Sequence, residues 1–502
     1  MILNPKPYSP NVNRTFGNTI IVLRDEDFAG VKYKTGQIAV TYQSCFFKKL
    51  IIQNGEDVQF EEVSLGFFNC YIEELIISDV LTSNVTINIH ASMLSGRVNA
   101  INLRSISLGN CILISSVFLI TQKSVSIAYT TENIFPYWWS KIFRKIGKPK
   151  YKRILRQRQD YHIEKPGQIA IRSTKKADEK SGRYINEWEN RKEYRIGYKL
   201  TKAEADSLKI HLTINYGTIS TDSATSVDNV VLQSLSLSGI PLGKINIDNV
   251  EVSNLYLSNF EPQNETVFYN LTPRPLLIDE TKVGIHKCNF DHVWFDNVEF
   301  NKFDRLSFYR SKLSKATFTS CSFPDKYERF DKFLTIPNIH LVEERPNNYH
   351  KDQYEMLLQL KKAFESTGNY YEGLKLQAIS YAALHQVKAI SRGDKIILRL
   401  NRVSNGYGLS LKKPTYWFFR LTISFYLIYL WSLGMLFQPT KLDLKLIGYY
   451  FSFIDITHWS DFLVNKSDLT GLALTVDYLN KVVIGYLVFQ FISAFRKYSK
   501  NG

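Results

Sequence analysis

The chain has 502 residues, with 63 Lys and Arg against 47 Asp and Glu, for a formal charge of +16. That length gives room for two to four domains, and five irregularly spaced cysteines argue against a disulfide-framed secreted domain. The excess of positive charge admits nucleic acid or a membrane surface as a partner, so its position along the chain matters.

Residues 1–44 hold short apolar runs such as Thr19-Ile20-Ile21-Val22-Leu23, which predict strands that cap the N-terminal end of the fold. Met1 to Pro7 lacks a basic region followed by an apolar run, so no secretory signal is expected. Across 45–120 a beat of five appears in Phe60, Leu65, Cys70, Leu75, Val80 and Val85. It resumes in Met93, Val98, Leu103, Leu108 and Leu113, with Ala91, Gly96, Ile101, Ile106 and Cys111 two residues earlier. A period of five suits neither a helix nor a pleated strand, but it suits a chain that turns a corner every five residues. Roughly four such sides close one coil, each with one side chain pointing to the axis. A sandwich of short strands is the alternative for this part.

Residues 121–225 lose the beat and predict an insertion. Residues 131–211 carry 21 Lys and Arg against 10 Asp and Glu, so most of the net charge sits there. Within it, Trp138, Trp139, Lys141, Ile142, Phe143, Arg144 and Lys145 fit an amphipathic helix. Such a helix either lies in a membrane interface or docks its apolar face on the protein. The basic run from Lys148 to Arg158 suits lipid headgroups or nucleic-acid phosphates.

The beat is clearest over 226–325. Leu232, Leu237, Leu242, Ile247, Val252 and Leu257 form one series, and Val230, Leu235, Ile240, Ile245, Val250, Leu255 and Phe260 a second. After a break, Val283, Cys288, Val293, Val298, Phe303, Phe308, Leu313, Phe318 and Phe323 continue it. One solenoid with an insertion, or two separate solenoids, accounts for both halves. The five cysteines fit the same register as buried thiols, whereas His286 and His292 flank interior positions and are expected at solvated edges.

Ala316-Thr317-Phe318-Thr319-Ser320 and Cys321-Ser322-Phe323 resemble the pentapeptide-repeat family. The resemblance implies a right-handed quadrilateral β-helix, its coils stacked at about 4.8 Å. Some relatives protect DNA gyrase by mimicking the duplex. Mimicry needs an acidic face, yet 228–325 holds 12 Asp and Glu against 9 Lys and Arg.

Residues 345–410 change to helical spacing, with Met356, Leu357, Leu360, Ala363 and Phe364 and then Leu374, Leu376, Ile379, Ala382 and Leu384. This resembles one tetratricopeptide-type helical hairpin and predicts a connector. Residues 416–438 predict a first transmembrane helix, with a buried core helix as the alternative. Residues 471–496 predict a second if Asp477 and Lys481, four apart, pair; a re-entrant segment is the alternative. Basic residues before the first span and after the second put both termini in the cytoplasm and loop 439–470 outside.

The tail is similar to the ion-channel-like C-termini of some bacterial pentapeptide-repeat membrane proteins, through Ser404–Gly408 and Gly485–Gln490. Gly406-Tyr407-Gly408 precedes the first span, where no selectivity filter can lie, so a turn is expected there. Neither a phosphate-binding loop, a His-Glu-x-x-His motif nor a Gly-x-Ser-x-Gly elbow occurs, so neither enzyme activity nor a cofactor or metal is expected. The fold expected is mainly β, an interrupted β-helix followed by a helical connector and two transmembrane helices. The function expected is a bacterial inner-membrane scaffold or sensor with the lipid bilayer, further copies of itself and a protein on the β-helix face as partners. Pore formation in phage defence is one version. The alternative is a nucleic-acid-binding or topoisomerase-interacting protein acting through the basic insertion.

Overall fold

The computed structural model describes residues 2–3, 11–12, 14–24, 38–54, 62–77, 85–109, 111–113, 115–129, 134–135, 158–173, 198–199, 209–217, 223–274, 280–323, 349–436 and 445–499. They divide into two units, Met1–Val342 and Glu343–Gly502.

The first unit is a stack of parallel strands in the manner of a β-helix. One column of paired residues runs through it: Thr19, Leu50, Leu75, Val98, Val117, Tyr161, Leu212, Leu235, Leu255, Val283 and Leu306. Every one of these side chains is buried. A second column runs from Val40 through Leu65, Ile87, Ile106, Val125, Ile169, Thr225, Ile245 and Thr266 to Val293. Val231 faces Glu251, Ile245 faces Thr266 and Trp294 faces Thr317, so one coil takes about 20–23 residues. Alternate residues of each strand point inward, which a fully stacked parallel sheet requires.

Both columns pass through 121–225, which corrects the expectation of a single insertion there. Arg158–Glu164, Gln168–Ser173 and Lys209–Asn215 are rungs of the same stack. Their apolar residues alternate at period two (Tyr161 and Ile163, Ile169 and Ile171, Leu212 and Ile214), which a count by fives passes over. Ile134–Phe135 pairs antiparallel with Tyr198–Lys199. Trp138 to Lys145, expected as an amphipathic helix, lie outside the described residues.

The corners explain the beat. Asn69, Asn229, Asn249, Asn270 and Asn297 take left-handed backbone angles, each just before an inward-pointing residue: Cys70, Val230, Val250, Leu271 and Val298. Asparagine tolerates that region better than most residues because its short amide bonds locally. Stacked corners join one another as well, for Asn297 Nδ2 donates to Asn270 Oδ1 at 3.2 Å and Asn270 donates in turn to Asn249.

Of the Val283–Phe323 series all are buried except Phe308, which is half-buried. Leu232, Leu237, Ile247, Val252, Leu257, Phe303, Leu313, Phe318 and Phe323 are buried as expected, but Leu242 is 37% exposed. Gly239, at φ 92°, turns the chain there, and Pro241 takes the buried place instead. In the first half Ile106 and Cys111 are buried, whereas Ala91, Gly96 and Ile101 are only partly so; Phe60 and Val80 lie outside the described residues.

All five cysteines are buried, and none forms a disulfide among the described residues. Burial pushes the Cys111, Cys288 and Cys321 thiols up to about 12, so they stay protonated and unreactive.

His292 is exposed, but His286 is buried, contrary to the expected edge position: alternation turns Val283 and Ile285 inward, and on the opposite face the His286 ring lies over Gly284, where an added Cβ would meet it at 3.2 Å. Burial pulls its imidazole from 6.5 down to about 3. The unfolded chain therefore binds a proton between these values that the folded chain refuses. The stability contribution is intact above pH 6.5 and is lost as pH falls toward 3, about 2–3 kcal/mol by about pH 4.5. Urea denaturation at neutral and mildly acid pH should show this loss, and His286→Gln should reduce it. An unchanged acid response in the variant would refute the assignment.

The second unit contains six helices among its described residues: α1 (Tyr349–Ser366), α2 (Tyr370–Gln386), α3 (Arg392–Ser404), α4 (Lys412–Ser432), α5 (Lys445–Ile454) and α6 (Gly471–Ser499). The α1–α2 hairpin turns at Gly368, and Asn369 caps α2 by accepting from the Glu372 N–H at 3.3 Å. Met356, Leu357, Leu360, Ala363, Phe364 and Leu376 are buried as the helical spacing predicts; Leu374, Ile379, Ala382 and Leu384 are partly so.

One helix segment among the described residues, Gly471–Phe495, is long and apolar enough to cross a membrane. The other expected span, 416–438, is not shown. Helix α4 opens on Lys412 and Lys413, carries Arg420, is diluted by Tyr, Trp, Thr and Ser, and stops at Ser432 before Gly434 at φ 68°. Segment 439–470 is more than a loop, because α5 lies within it.

Candidate functional site: a charged cluster buried among three helices

Helices α4 and α6 run antiparallel, with Thr470 Oγ1 reaching the Ser432 carbonyl at 3.4 Å. Helix α5 packs on both. Tyr426 Oη donates to the Leu446 carbonyl at 2.6 Å, Thr422 Oγ1 lies 2.8 Å from Tyr450 Oη, and Asn480 Nδ2 donates to the Phe453 carbonyl at 2.9 Å. Tyr426, Tyr429, Leu430, Leu446, Phe453, Ala473 and Val476 form the apolar core between them.

Asp477 sits beside this core, wholly buried. His458 Nε2 lies 2.7 Å from its Oδ1, and Ser460 Oγ donates to its Oδ2 at 2.7 Å. Lys481 Nζ is 3.2 Å from Oδ2 and donates to the His458 carbonyl at 2.8 Å. The i,i+4 pairing of Asp477 and Lys481 expected from the sequence is therefore present, one helical turn apart. His458 and Ser460 were not visible as partners, because they come from a segment with no periodicity. A short turn aims them inward: the Asp455 carboxylate accepts from the Thr457 N–H at 2.9 Å and its hydroxyl at 2.7 Å.

Both ring nitrogens of His458 face oxygen acceptors, Nδ1 the Asp455 carbonyl and Nε2 Asp477. Ser460 and His458 each bond the carboxylate rather than each other, so the cluster has no nucleophile–base pair. It works instead as a clamp holding 455–461 against α6. Among the described residues no group of three His, Cys, Asp or Glu is placed to hold a metal.

A second polar set lies farther along α6. Ser404 Oγ is 3.0 Å from Tyr486 Oη, Asn405 Nδ2 donates to Gln490 Oε1, and Gln490 Nε2 donates to Asn401 Oδ1 at 3.3 Å. Gly406, Tyr407 and Gly408 all have positive φ and form the turn that the sequence predicts.

Comparison with protein-family models, curated proteins and solved structures finds no match.

Proposed function

We propose that the protein is a membrane-anchored scaffold or sensor of the pentapeptide-repeat type, its coils cytoplasmic and its helical tail in a bacterial inner membrane. The observation that carries this reading is the inverted polarity of the tail. On α6 the buried residues include Asp477, Asn480 and Gln490, while Leu479, Val482, Phe489 and Ile492 are exposed, Val482 at 70%. On α4 Thr422 is buried, while Phe419, Ile423, Leu427 and Trp431 face outward. Water-soluble surfaces rarely keep an apolar area of this extent, and hydrocarbon covers it naturally. The buried five-residue series, with about four sides to each coil, supports the repeat family. Basic residues from Arg392 to Lys413 and at Arg496, Lys497 and Lys500 support cytoplasmic ends. Two hairpin helices enclose no channel, so a pore version requires several copies.

Fractionation of cells expressing the full chain tests the anchor. The protein should remain in the membrane pellet after alkaline-carbonate extraction. Release into the supernatant would overturn the reading.

A further inference from the structure

Helix α3 differs from the helices C-terminal to it. Ile396, Ile397, Leu400 and Val403 gather on one side and are all exposed, Ile396 at 60%. Its inward side meets the rest of the unit: Leu398 is buried, Asn401 accepts from Gln490, and Ser404 lies against Tyr486. Beside the aliphatic face stand Arg392, Lys395, Arg399 and Arg402, and Lys412 and Lys413 open α4. The acid of this helix, Asp394, is occupied at the N-terminus, where Ser391 accepts from its N–H at 3.1 Å and bonds its carboxylate at 2.7 Å.

We infer that α3 lies flat on the anionic inner leaflet, its four aliphatic side chains at the acyl boundary and its cations on lipid phosphates. This rests on the bilayer reading of the tail. Charge complementarity selects the partner, because an aliphatic face flanked by Arg and Lys on a short amphipathic helix suits anionic headgroups. Depth agrees. Gln490, which holds α3, is five residues before the end of the candidate span, about 7–8 Å along the helix axis. Interfacial helices bury their apolar face roughly 5–10 Å into the headgroup boundary.

The full chain, reconstituted in vesicles, tests the inference with an environment-sensitive fluorophore on Leu400→Cys, the native cysteines being buried. A second protein carries the label on Val482→Cys, in the middle of the candidate span, and is read with a lipid spin-labelled deep in its acyl chain. Shallow spin-labelled lipid should quench the Leu400 probe in phosphatidylserine-containing vesicles and much less in pure phosphatidylcholine. Adding Arg399→Gln and Arg402→Gln should weaken surface binding of the helix about fivefold per charge. Quenching at Val482 without quenching at Leu400 overturns the α3 inference and leaves the anchor standing. Equal quenching at Leu400 in both lipids overturns the choice of anionic partner. Quenching at neither site overturns the anchor and α3 together.

Discussion

Asp477→Ala is expected to cost the helical unit about 3–5 kcal/mol, since it leaves the His458 and Lys481 donors buried without their carboxylate. A buried ion pair adds little net stability against a well-packed apolar substitute, but removing one partner is costly. Asp477→Asn keeps the shape and one acceptor, so a smaller loss of about 1–3 kcal/mol is expected. Adding Lys481→Met to Asp477→Ala should recover part of the loss, because it removes a stranded cation. Denaturation of the detergent-solubilised chain measures the stabilities, and limited proteolysis within 455–461 reads the clamp directly. Wild-type stability and protease resistance in Asp477→Ala would show that the cluster holds nothing in place.

Phe295→Ala should be as damaging in the first unit, at about 3–5 kcal/mol. Phe295 is wholly buried between Phe268 and Phe318, with ring centroids at 4.8 and 5.3 Å and nearly parallel planes. Phe300 meets its edge at 5.4 Å. Truncation removes the middle of a three-ring stack and opens a cavity that neighbouring rungs, tied by backbone hydrogen bonds, cannot close. In a stack each coil touches only its neighbours, so the damage should stay local. Hydrogen exchange should rise in Thr266–Tyr269 and Thr317–Thr319 and remain unchanged in Thr15–Leu23. A loss under about 1 kcal/mol, or a uniform rise in exchange, would contradict this packing.

How much of the fold was legible in the sequence depends on which geometry dominates locally. Where coils turn tightly, as over Val283–Phe323, one buried residue per corner imprints a beat of five that composition cannot disguise. Where strands lengthen, as in Val98–Gly109 and Val117–Tyr129, the ordinary alternation of a β-strand overrides it, and the rungs at 158–173 and 209–215 look like insertion. The Asp477–Lys481 pair was legible because helical spacing alone brings the two together. His458 and Ser460 were not, since a turn made by Asp455 and Thr457 decides their direction and such turns leave only a faint composition signal. Leu242 shows a local exception, with Gly239 and Pro241 diverting a chain whose register is otherwise correct.

The continuity of the two columns across 130–157 and 174–208 has a consequence for how the chain can be altered. The rung at Val117 pairs with Tyr161, and the rung at Ile163 with Ile214, so the described strands keep one register on both sides of these segments. Closing a flexible loop costs free energy that grows only with the logarithm of its length, about 0.6 kcal/mol for each doubling. Sequence can therefore be added at these two points far more cheaply than inside a rung, where one extra residue would turn every later side chain of that strand to the opposite face. The solenoid has two ports through which a foreign domain could be carried without rewriting the coils on either side.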